Sequence, residues 1–167
     1  GAPEGHPELW MLASRYPGER KQAVRQTART LEFAARVGAR VVVAHAGRVP
    51  MRYRTTALIA MFENGKQYSS RYEKVKMRLL LQREKKASRY LDSLFMALDE
   101  LMPALEATGV RLALENLPTW ETLPTEMEME QIHQRFPSDR IGYWHDIGHG
   151  RIRENMGFVN SLHWLNR

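Results

Sequence analysis

Cysteine is absent from the 167 residues of the chain. Its absence excludes disulfides and thiolate metal sites, so any bound metal must be held by His, Asp and Glu side chains. Such a donor set favours Zn, Mn, Fe, Co or Mg. The sequence also lacks an apolar run of the roughly 20 residues that cross a bilayer, and it lacks a basic and then apolar leader. Together these absences predict a cytoplasmic protein with no membrane partner.

The composition is that of a globular domain, with 43% hydrophobic and 26% charged residues. Charge is distributed unevenly: the net charge is +6, and twelve Lys or Arg but only three Glu lie between Arg48 and Arg89. Such a basic segment either binds an anionic ligand, including nucleic acid, or is the solvated face of a long helix. We favour the solvated face, so nucleic acid is not an expected partner.

Hydrophobic periodicity predicts three helical regions. The first covers about residues 19–37 and ends at Gly38, a typical C-terminal cap. The second is a long basic segment over 52–108 that breaks at Gly65 and is kinked or restarted by Pro103. The third follows the capping-box sequence TEME, residues 125–128, and runs to about Phe136.

Three apolar segments are predicted to be strands: RVVVAHAG (40–47), VRLALENLP (110–118) and RIGYWHDIGHG (140–150). The triple valine suggests a strand that is buried on both faces, as in a parallel sheet. Because strands alternate with helices, the sequence predicts an α/β fold with parallel strands and right-handed crossover helices. Residues 151–167 are interpreted as a further helical or irregular segment.

Each predicted strand ends in a side chain that can bind a metal, namely His45, Glu115 and Asp146. Parallel α/β folds bind their ligands at the carboxyl ends of the strands. His149 follows Asp146 by one short turn and can reach the same rim. Taken alone, His45 could be a hydrogen-bonded core residue, and the pair Glu115–Asn116 could cap a helix. The coincidence of these residues at equivalent strand ends predicts instead that they line one cavity.

The segments VVVAHAG, LALENLP and YWHDIGHG resemble successive strand ends of the xylose isomerase-like TIM-barrel superfamily. That group includes sugar isomerases and epimerases and DNA repair enzymes of the endonuclease IV type. The resemblance implies a partial (β/α)8 barrel with strands four, five and six, and with GAPEGHP as the tail of strand three. A complete barrel has eight strands and about 250 residues. Residues 1–167 would then be a single xylose isomerase-like TIM-barrel domain, incomplete at both ends.

The same resemblance implies roles for individual residues. Glu115 and Asp146 would bind a shared divalent metal ion, such as Mn, Zn, Co or Mg, and Glu115 and His149 would act in catalysis. Four residues would contact the substrate: His45, Asn116, Trp144 and His145. Two further metal ligands would come from strands seven and eight, so we expect this chain alone to bind metal weakly or not at all.

The implied function is a divalent-metal-dependent isomerase or epimerase of a sugar or sugar phosphate, acting by proton transfer through an enediolate. One alternative is a zinc phosphodiesterase of the endonuclease IV type acting on DNA, which the basic segment favours. Another is a non-catalytic, incomplete barrel protein. The residues around Glu115 and Asp146 look more like the sugar-enzyme branch, so a small sugar is the expected partner. The chain alone is expected to be inactive, and its open apolar edges favour association, including a homo-oligomer.

Overall fold

A computed structural model of the chain describes residues 10–166. The segment GAPEGHP, the predicted tail of strand three, lies outside the described residues. The elements follow one another in this order: α1 (Pro17–Arg36), β1 (Val41–Ala44), β2 (Gly47–Arg48), α2 (Thr55–Glu63), α3 (Ser70–Thr108), β3 (Arg111–Glu115), β4 (Thr122–Leu123), α4 (Glu126–Arg135), β5 (Ile141–Trp144), α5 (Ile147–Asn155) and α6 (Ser161–Leu165).

The main sheet has three parallel strands in the order β1–β3–β5. Its register aligns Val43 with Ala113 and Gly142, and it aligns Glu115 with Trp144. Residues that are aligned in neighbouring strands point to the same face of a sheet. The arrangement confirms the predicted α/β architecture, in which helices connect the parallel strands of a partial TIM barrel.

Three helix ends follow from glycines that adopt a left-handed conformation. Gly38 follows α1 with φ +76°, Gly65 separates α2 from α3 with φ +67°, and Gly109 caps α3 with φ +68°. Glycine adopts this conformation without the steric cost of a Cβ atom. Pro103 does not start a new helix, because α3 continues through it to Thr108. Its side chain is exposed, so the ring does not disturb the packed face of the helix.

The core lies between one face of the sheet and the helices. Leu112, Leu114 and Ile141 are at most 3% exposed, and they pack with a row of buried leucines on α3. The other face of β1 carries Val41 and Val43, which are 39% and 41% exposed. The prediction that the triple valine is buried on both faces is therefore wrong. Alternate residues of β1 face the helices, and the helices of residues 10–166 leave the opposite face partly open.

A short antiparallel ladder joins the loops that follow β1 and β3. In it Gly47 lies opposite Leu123 and Arg48 lies opposite Thr122. The backbone N–H of Val49 extends the contact by donating to the carbonyl of Glu121 at 2.8 Å. This ladder was not predicted, because two-residue strands have no periodicity that a sequence can display. It holds two loops together at the carboxyl end of the sheet.

None of the helices within residues 10–166 is both long and apolar enough to span a membrane. Even α3, with 39 residues, carries charged side chains along its exposed face.

Candidate active site

Two strand ends and the first turn of a helix bring three side chains together. Glu115 is the last residue of β3, and Asp146 is the N-cap of α5. The carboxylate of Asp146 accepts the backbone N–H of His149 at 2.8 Å, which is the usual bond from an N-cap to the third helical residue. The D-x-x-H spacing therefore places Asp146 and His149 side by side. One ligand atom from each of Glu115, Asp146 and His149 lies within 4.8 Å of the others.

His45 approaches Glu115 from the neighbouring strand. It directly follows β1, and its Nε2 lies 3.1 Å from Oε2 of Glu115. A carboxylate can only accept, so Nε2 of His45 is the donor, and in the neutral ring Nδ1 is left with its lone pair. That Nδ1 is buried and has no hydrogen-bond partner among residues 10–166. A buried polar atom that lacks a hydrogen bond lowers the free energy of unfolding by about 1–3 kcal/mol. In native structures a catalytic role is one explanation for such an atom.

The orientation of the His149 ring is set by the backbone. Its Nδ1 lies 2.9 Å from the carbonyl oxygen of Asn116 and 3.5 Å from Oε1 of Glu115. A carbonyl oxygen only accepts, so Nδ1 donates and Nε2 of the neutral ring is left with its lone pair. In many metal and proton-transfer sites, one imidazole nitrogen is held by a carbonyl in this way. In this tautomer Nε2 is the acceptor of the His149 ring, whereas Nδ1 is the nitrogen that lies near the two carboxylates, 3.5 Å from Oε1 of Glu115 and 3.8 Å from Oδ1 of Asp146.

Asn116 links the ends of β3 and β5 from a buried position. Its side-chain amide donates to the carbonyl of Asp146 at 3.1 Å, and its side-chain oxygen accepts the Asp146 N–H at 2.6 Å. The residue has no exposed surface. Here the structure departs from the predicted substrate contact, because both polar groups of the Asn116 side chain already bind the Asp146 backbone. Asn116 positions Asp146 instead.

Trp144 and His145 lie on opposite sides of the sheet. Trp144 is in register with Glu115, shares its face and is 48% exposed. His145 follows it and points to the other side, where its Nδ1 lies 3.4 Å from the Tyr143 hydroxyl. A Cβ at Gly150 would lie 2.6 Å from the His145 ring, so His145 packs against α5. The structure therefore brings Trp144, but not His145, to the Glu115 face, which does not support a substrate contact by His145.

The electrostatics of the cluster favour a cation. Within residues 10–166, the ion pairs of Glu115 and Asp146 involve only imidazoles, with no Lys or Arg among the partners. The His149 backbone N–H is the main cause that lowers the pKa of Asp146, so this carboxylate is ionised near neutral pH. Two carboxylates and an imidazole are donors that Mn, Zn, Co and Fe accept. The residues present thus fit a divalent metal ion.

A buried ionic network behind the cluster was missed in the sequence. Arg153 is fully buried, and its Nη1 donates to both carboxylate oxygens of Glu126 at 3.2 and 3.1 Å. The Tyr143 hydroxyl donates to the same carboxylate at 3.1 Å, and burial followed by the charge of Glu126 strongly raises the pKa of Tyr143. The network ties α4, β5 and α5 together. Glu126 lies between the two capping-box residues, Thr125 and Glu128, and no local pattern indicates its contacts with Arg153 and Tyr143.

A cavity of about 200 Å³ adjoins His45 on the β1 side of the cluster. Its lining includes His45 but not Glu115, Asp146 or His149. The prediction that all four residues line one cavity therefore holds only for His45. The other three form an open cluster at the end of the sheet, joined to the cavity through the contact between His45 and Glu115.

Comparison with known proteins places this partial barrel in a family. The chain belongs to the xylose isomerase-like TIM-barrel family, whose sequence model matches residues 2–165. This confirms the resemblance that was based on three strand ends. Comparison with curated proteins gave no match.

Two solved structures are similar to the chain. One is a D-tagatose 3-epimerase-like protein, with a TM-score of 0.59 and 22% identity over 92% of this chain and 49% of that one. The other is a proposed sugar phosphate isomerase/epimerase from Anabaena variabilis, with a TM-score of 0.55 and 16% identity over 85% of this chain and 39% of that one. At these identities the similarity shows the fold. The chain spans about half, or less, of the length of these structures.

Proposed function

We propose that the protein containing this chain is a divalent-metal-dependent isomerase or epimerase of a sugar or sugar phosphate. One observation carries the proposal: Glu115, Asp146 and His149 meet at the carboxyl ends of parallel strands, and no Lys or Arg of residues 10–166 is paired with the two carboxylates. This is the end of a TIM barrel at which catalysis takes place. The names of the two similar structures agree with this chemistry, although they do not establish it for this chain.

In the proposed mechanism, Glu115 and Asp146 would hold the ion, and the His149 ring lies beside both carboxylates. A bound divalent ion supplies Lewis-acid polarisation of the substrate carbonyl and of the neighbouring hydroxyl. Glu115 takes the proton from the carbon next to the carbonyl, which leaves an enediolate, and in an isomerisation it returns that proton to the neighbouring carbon. In an epimerisation the new proton must reach the opposite face of the enediolate, so a second proton donor would supply it there. The N–H of His45 at Oε2 holds the Glu115 carboxylate in position. Nε2 of His149 accepts a proton from, or orients, a substrate hydroxyl.

The proposal concerns the whole protein, because the solved structures that resemble this chain are about twice its length or more. We propose a small sugar as the substrate and the cytoplasm as the location. The family match and the sugar-enzyme names of the similar structures support the first proposal, and the absence of cysteine supports the second. We further propose that these 167 residues alone are inactive.

Calorimetric titration of Mn²⁺ into the full-length protein tests the metal site. Asp146→Asn and Glu115→Gln each remove one ligand charge but keep the side-chain size, and Asn is itself a good N-cap. We expect each variant to weaken Mn²⁺ binding about tenfold or more, which corresponds to about 1.4 kcal/mol. Asp92→Asn, on the exposed side of α3, is the matched control and should bind Mn²⁺ like the wild type. Equal affinity in all four proteins would show that Glu115 and Asp146 are not ligands.

An activity assay tests the chemistry separately. A panel of ketoses and ketose phosphates is incubated with the metal-loaded protein, and new isomers and epimers are separated by chromatography. We expect turnover by the wild type and only background turnover by Glu115→Gln, with unchanged circular dichroism. Turnover by Glu115→Gln at the wild-type rate would exclude Glu115 as the proton carrier.

A further inference from the structure

The cavity beside His45 continues directly from the proposed reaction site. His45 lines it, and Nε2 of His45 lies 3.1 Å from Oε2 of Glu115. Leu117 and Pro118 also line the cavity, and they follow closely after Glu115 in the chain. The volume of about 200 Å³ is smaller than the ~300–1,000 Å³ of sites that enclose a drug-sized ligand. The size and position of the cavity therefore suit one end of a small substrate that reacts at Glu115.

Three separate segments of the chain supply the apolar wall of this cavity. Met11 comes from the loop before α1, Gly47 from β2, and Leu117 and Pro118 from the loop after β3. The backbone N–H of Met11 donates to Oε1 of Glu19 at 3.2 Å, which fixes the loop before α1. The Met11 side chain packs against Gly47, where an added Cβ would lie 2.9 Å from Cβ and 3.2 Å from Sδ of Met11. The apolar wall is therefore built by tertiary contacts between distant segments.

Three polar side chains of the lining are already engaged within the protein. The Thr122 hydroxyl donates to the Thr119 carbonyl at 2.6 Å and accepts Nη2 of Arg153 at 3.3 Å. The Arg48 guanidinium donates to the Tyr53 hydroxyl, lies 5.5 Å from the centroid of the Tyr53 ring and makes a further interaction as well. No Asp or Glu of residues 10–166 lines the cavity. The lining therefore offers a ligand mainly apolar surface.

We propose that this cavity binds an uncharged, apolar end of the substrate, the terminal methyl group of a deoxy sugar. The inference rests on the proposed function, which places the reacting carbons at Glu115. It adds that Met11 and Leu117 select the far end of the substrate by apolar contact. Burying a methyl group is favourable, whereas burying a hydroxyl that finds no hydrogen-bond partner is costly. The cavity therefore discriminates against the same sugar with a hydroxyl on its last carbon.

Calorimetry with matched sugars tests the inference without any need for turnover. The full-length protein is titrated with L-rhamnose and L-mannose, which differ only by the hydroxyl on the last carbon, and with L-fucose and L-galactose, which differ in the same way. We expect at least one of the two deoxy sugars, L-rhamnose or L-fucose, to bind about tenfold more tightly than its hydroxylated parent. A phosphate at this end should not help, so D-fructose 6-phosphate should bind no more tightly than D-fructose.

Met11→Gln tests the wall of the cavity, because it replaces the thioether by an amide of similar length. It should reduce the preference for the deoxy sugar to about twofold or less. Met11→Leu keeps the wall apolar and should retain most of the preference. Met127→Gln is the matched control, because it makes the same change at an exposed position on α4, and it should bind both sugars of each pair like the wild type.

Several outcomes would overturn the proposal. They are binding of both deoxy sugars that is no tighter than that of their parents, no binding of either deoxy sugar, tighter binding of D-fructose 6-phosphate than of D-fructose, and an unchanged preference in Met11→Gln. Circular dichroism establishes that each variant is folded before it is titrated. Because only binding is measured, these outcomes are separate from a failure to find isomerase activity.

Discussion

At the scale of single residues, Asn116 combines more contacts than its position at a strand end would suggest. Its side chain makes two hydrogen bonds to the backbone of Asp146, and its backbone carbonyl accepts a hydrogen bond from Nδ1 of His149. We expect Asn116→Ala to lower the free energy of unfolding by about 1–3 kcal/mol, because two partly buried backbone groups of Asp146 lose their partners. Urea unfolding measures the loss. Asn155→Ala, at the exposed end of α5, is the control and should be nearly neutral.

The same substitution should weaken Mn²⁺ binding, because the backbone of Asp146 would no longer be held against β3. If Asn116→Ala lowered stability but left Mn²⁺ affinity unchanged, Asn116 would be a structural residue without influence on the site. The carbonyl contact to His149 is a backbone feature, so it should persist in this variant and keep the His149 ring in place.

The hydrogen bond that Glu154 accepts should make the free energy of unfolding depend on pH. The Ser161 backbone N–H donates to it at 2.9 Å and is the main cause that lowers its pKa below the ordinary value of 4.5. The folded protein then binds this proton less tightly than the unfolded chain, so the stabilisation is complete above the unfolded pKa and is lost as pH falls through the lowered folded pKa. Urea unfolding should show Glu154→Gln destabilised relative to wild type at pH 7, with a smaller difference at pH 3. An equal difference at both pH values would contradict this.

At the scale of secondary-structure elements, helix α2 is capped by a residue that is distant in sequence. The buried carboxylate of Glu121 accepts the N–H groups of Arg54 and Thr55 at 2.6 and 3.1 Å, and the Thr55 hydroxyl at 2.6 Å. We expect Glu121→Gln to lower the free energy of unfolding by about 1.5–3 kcal/mol, the range for hydrogen bonds to charged groups. Chemical denaturation measures the effect, with the exposed Glu63→Gln as control. A neutral result would mean that water or the amide replaces the carboxylate.

This cap illustrates which elements a sequence can reveal. Helix ends at Gly38 and Gly109, and the TEME capping box before α4, are local signals, and the structure places them as predicted. The Glu121 cap joins residues 66 apart in sequence, and the β2–β4 ladder joins two loops. Neither interaction leaves a local pattern, because the partners meet only after the sheet has formed.

The candidate site likewise combines features that the sequence predicts with features that depend on the folded structure. Strand periodicity and the rule for parallel sheets correctly bring Glu115, Asp146, His149 and His45 to one end of the sheet. The sequence could not separate Trp144 from His145 by face without the register of β5. It also could not show that Asn116 is buried, since burial depends on how Asp146 folds back over it.

At the scale of the whole molecule, the basic segment is used in several different ways. Arg83 is buried and paired with Glu128 at 2.8 Å. Lys76 and Lys86 donate to backbone carbonyls, and others, such as Lys74 and Lys85, lie on the exposed face of α3. This dispersal agrees with a solvated helix face, and the absence of nucleic acid among the partners remains a prediction.

The open face of β1 leads to a prediction about association. Val41 and Val43 are partly exposed on an edge strand of the main sheet, a position that favours pairing with other chains. We expect these 167 residues to self-associate with rising concentration in sedimentation velocity experiments, and Val43→Lys to reduce the association. Met96→Lys, which removes an exposed apolar side chain from α3, should have little effect. A single monomeric species at all concentrations would contradict the prediction.

The cap that Asp146 places on α5 has a consequence for observing this protein. The amide hydrogen of His149 is bonded to a carboxylate oxygen that the proposed metal would also attract. A cation bound by Asp146 would therefore share the carboxylate oxygen that accepts this hydrogen bond, or displace the hydrogen bond from it. The chemical shift and solvent-exchange rate of one backbone amide thus report directly whether the site is filled, without any need for a substrate.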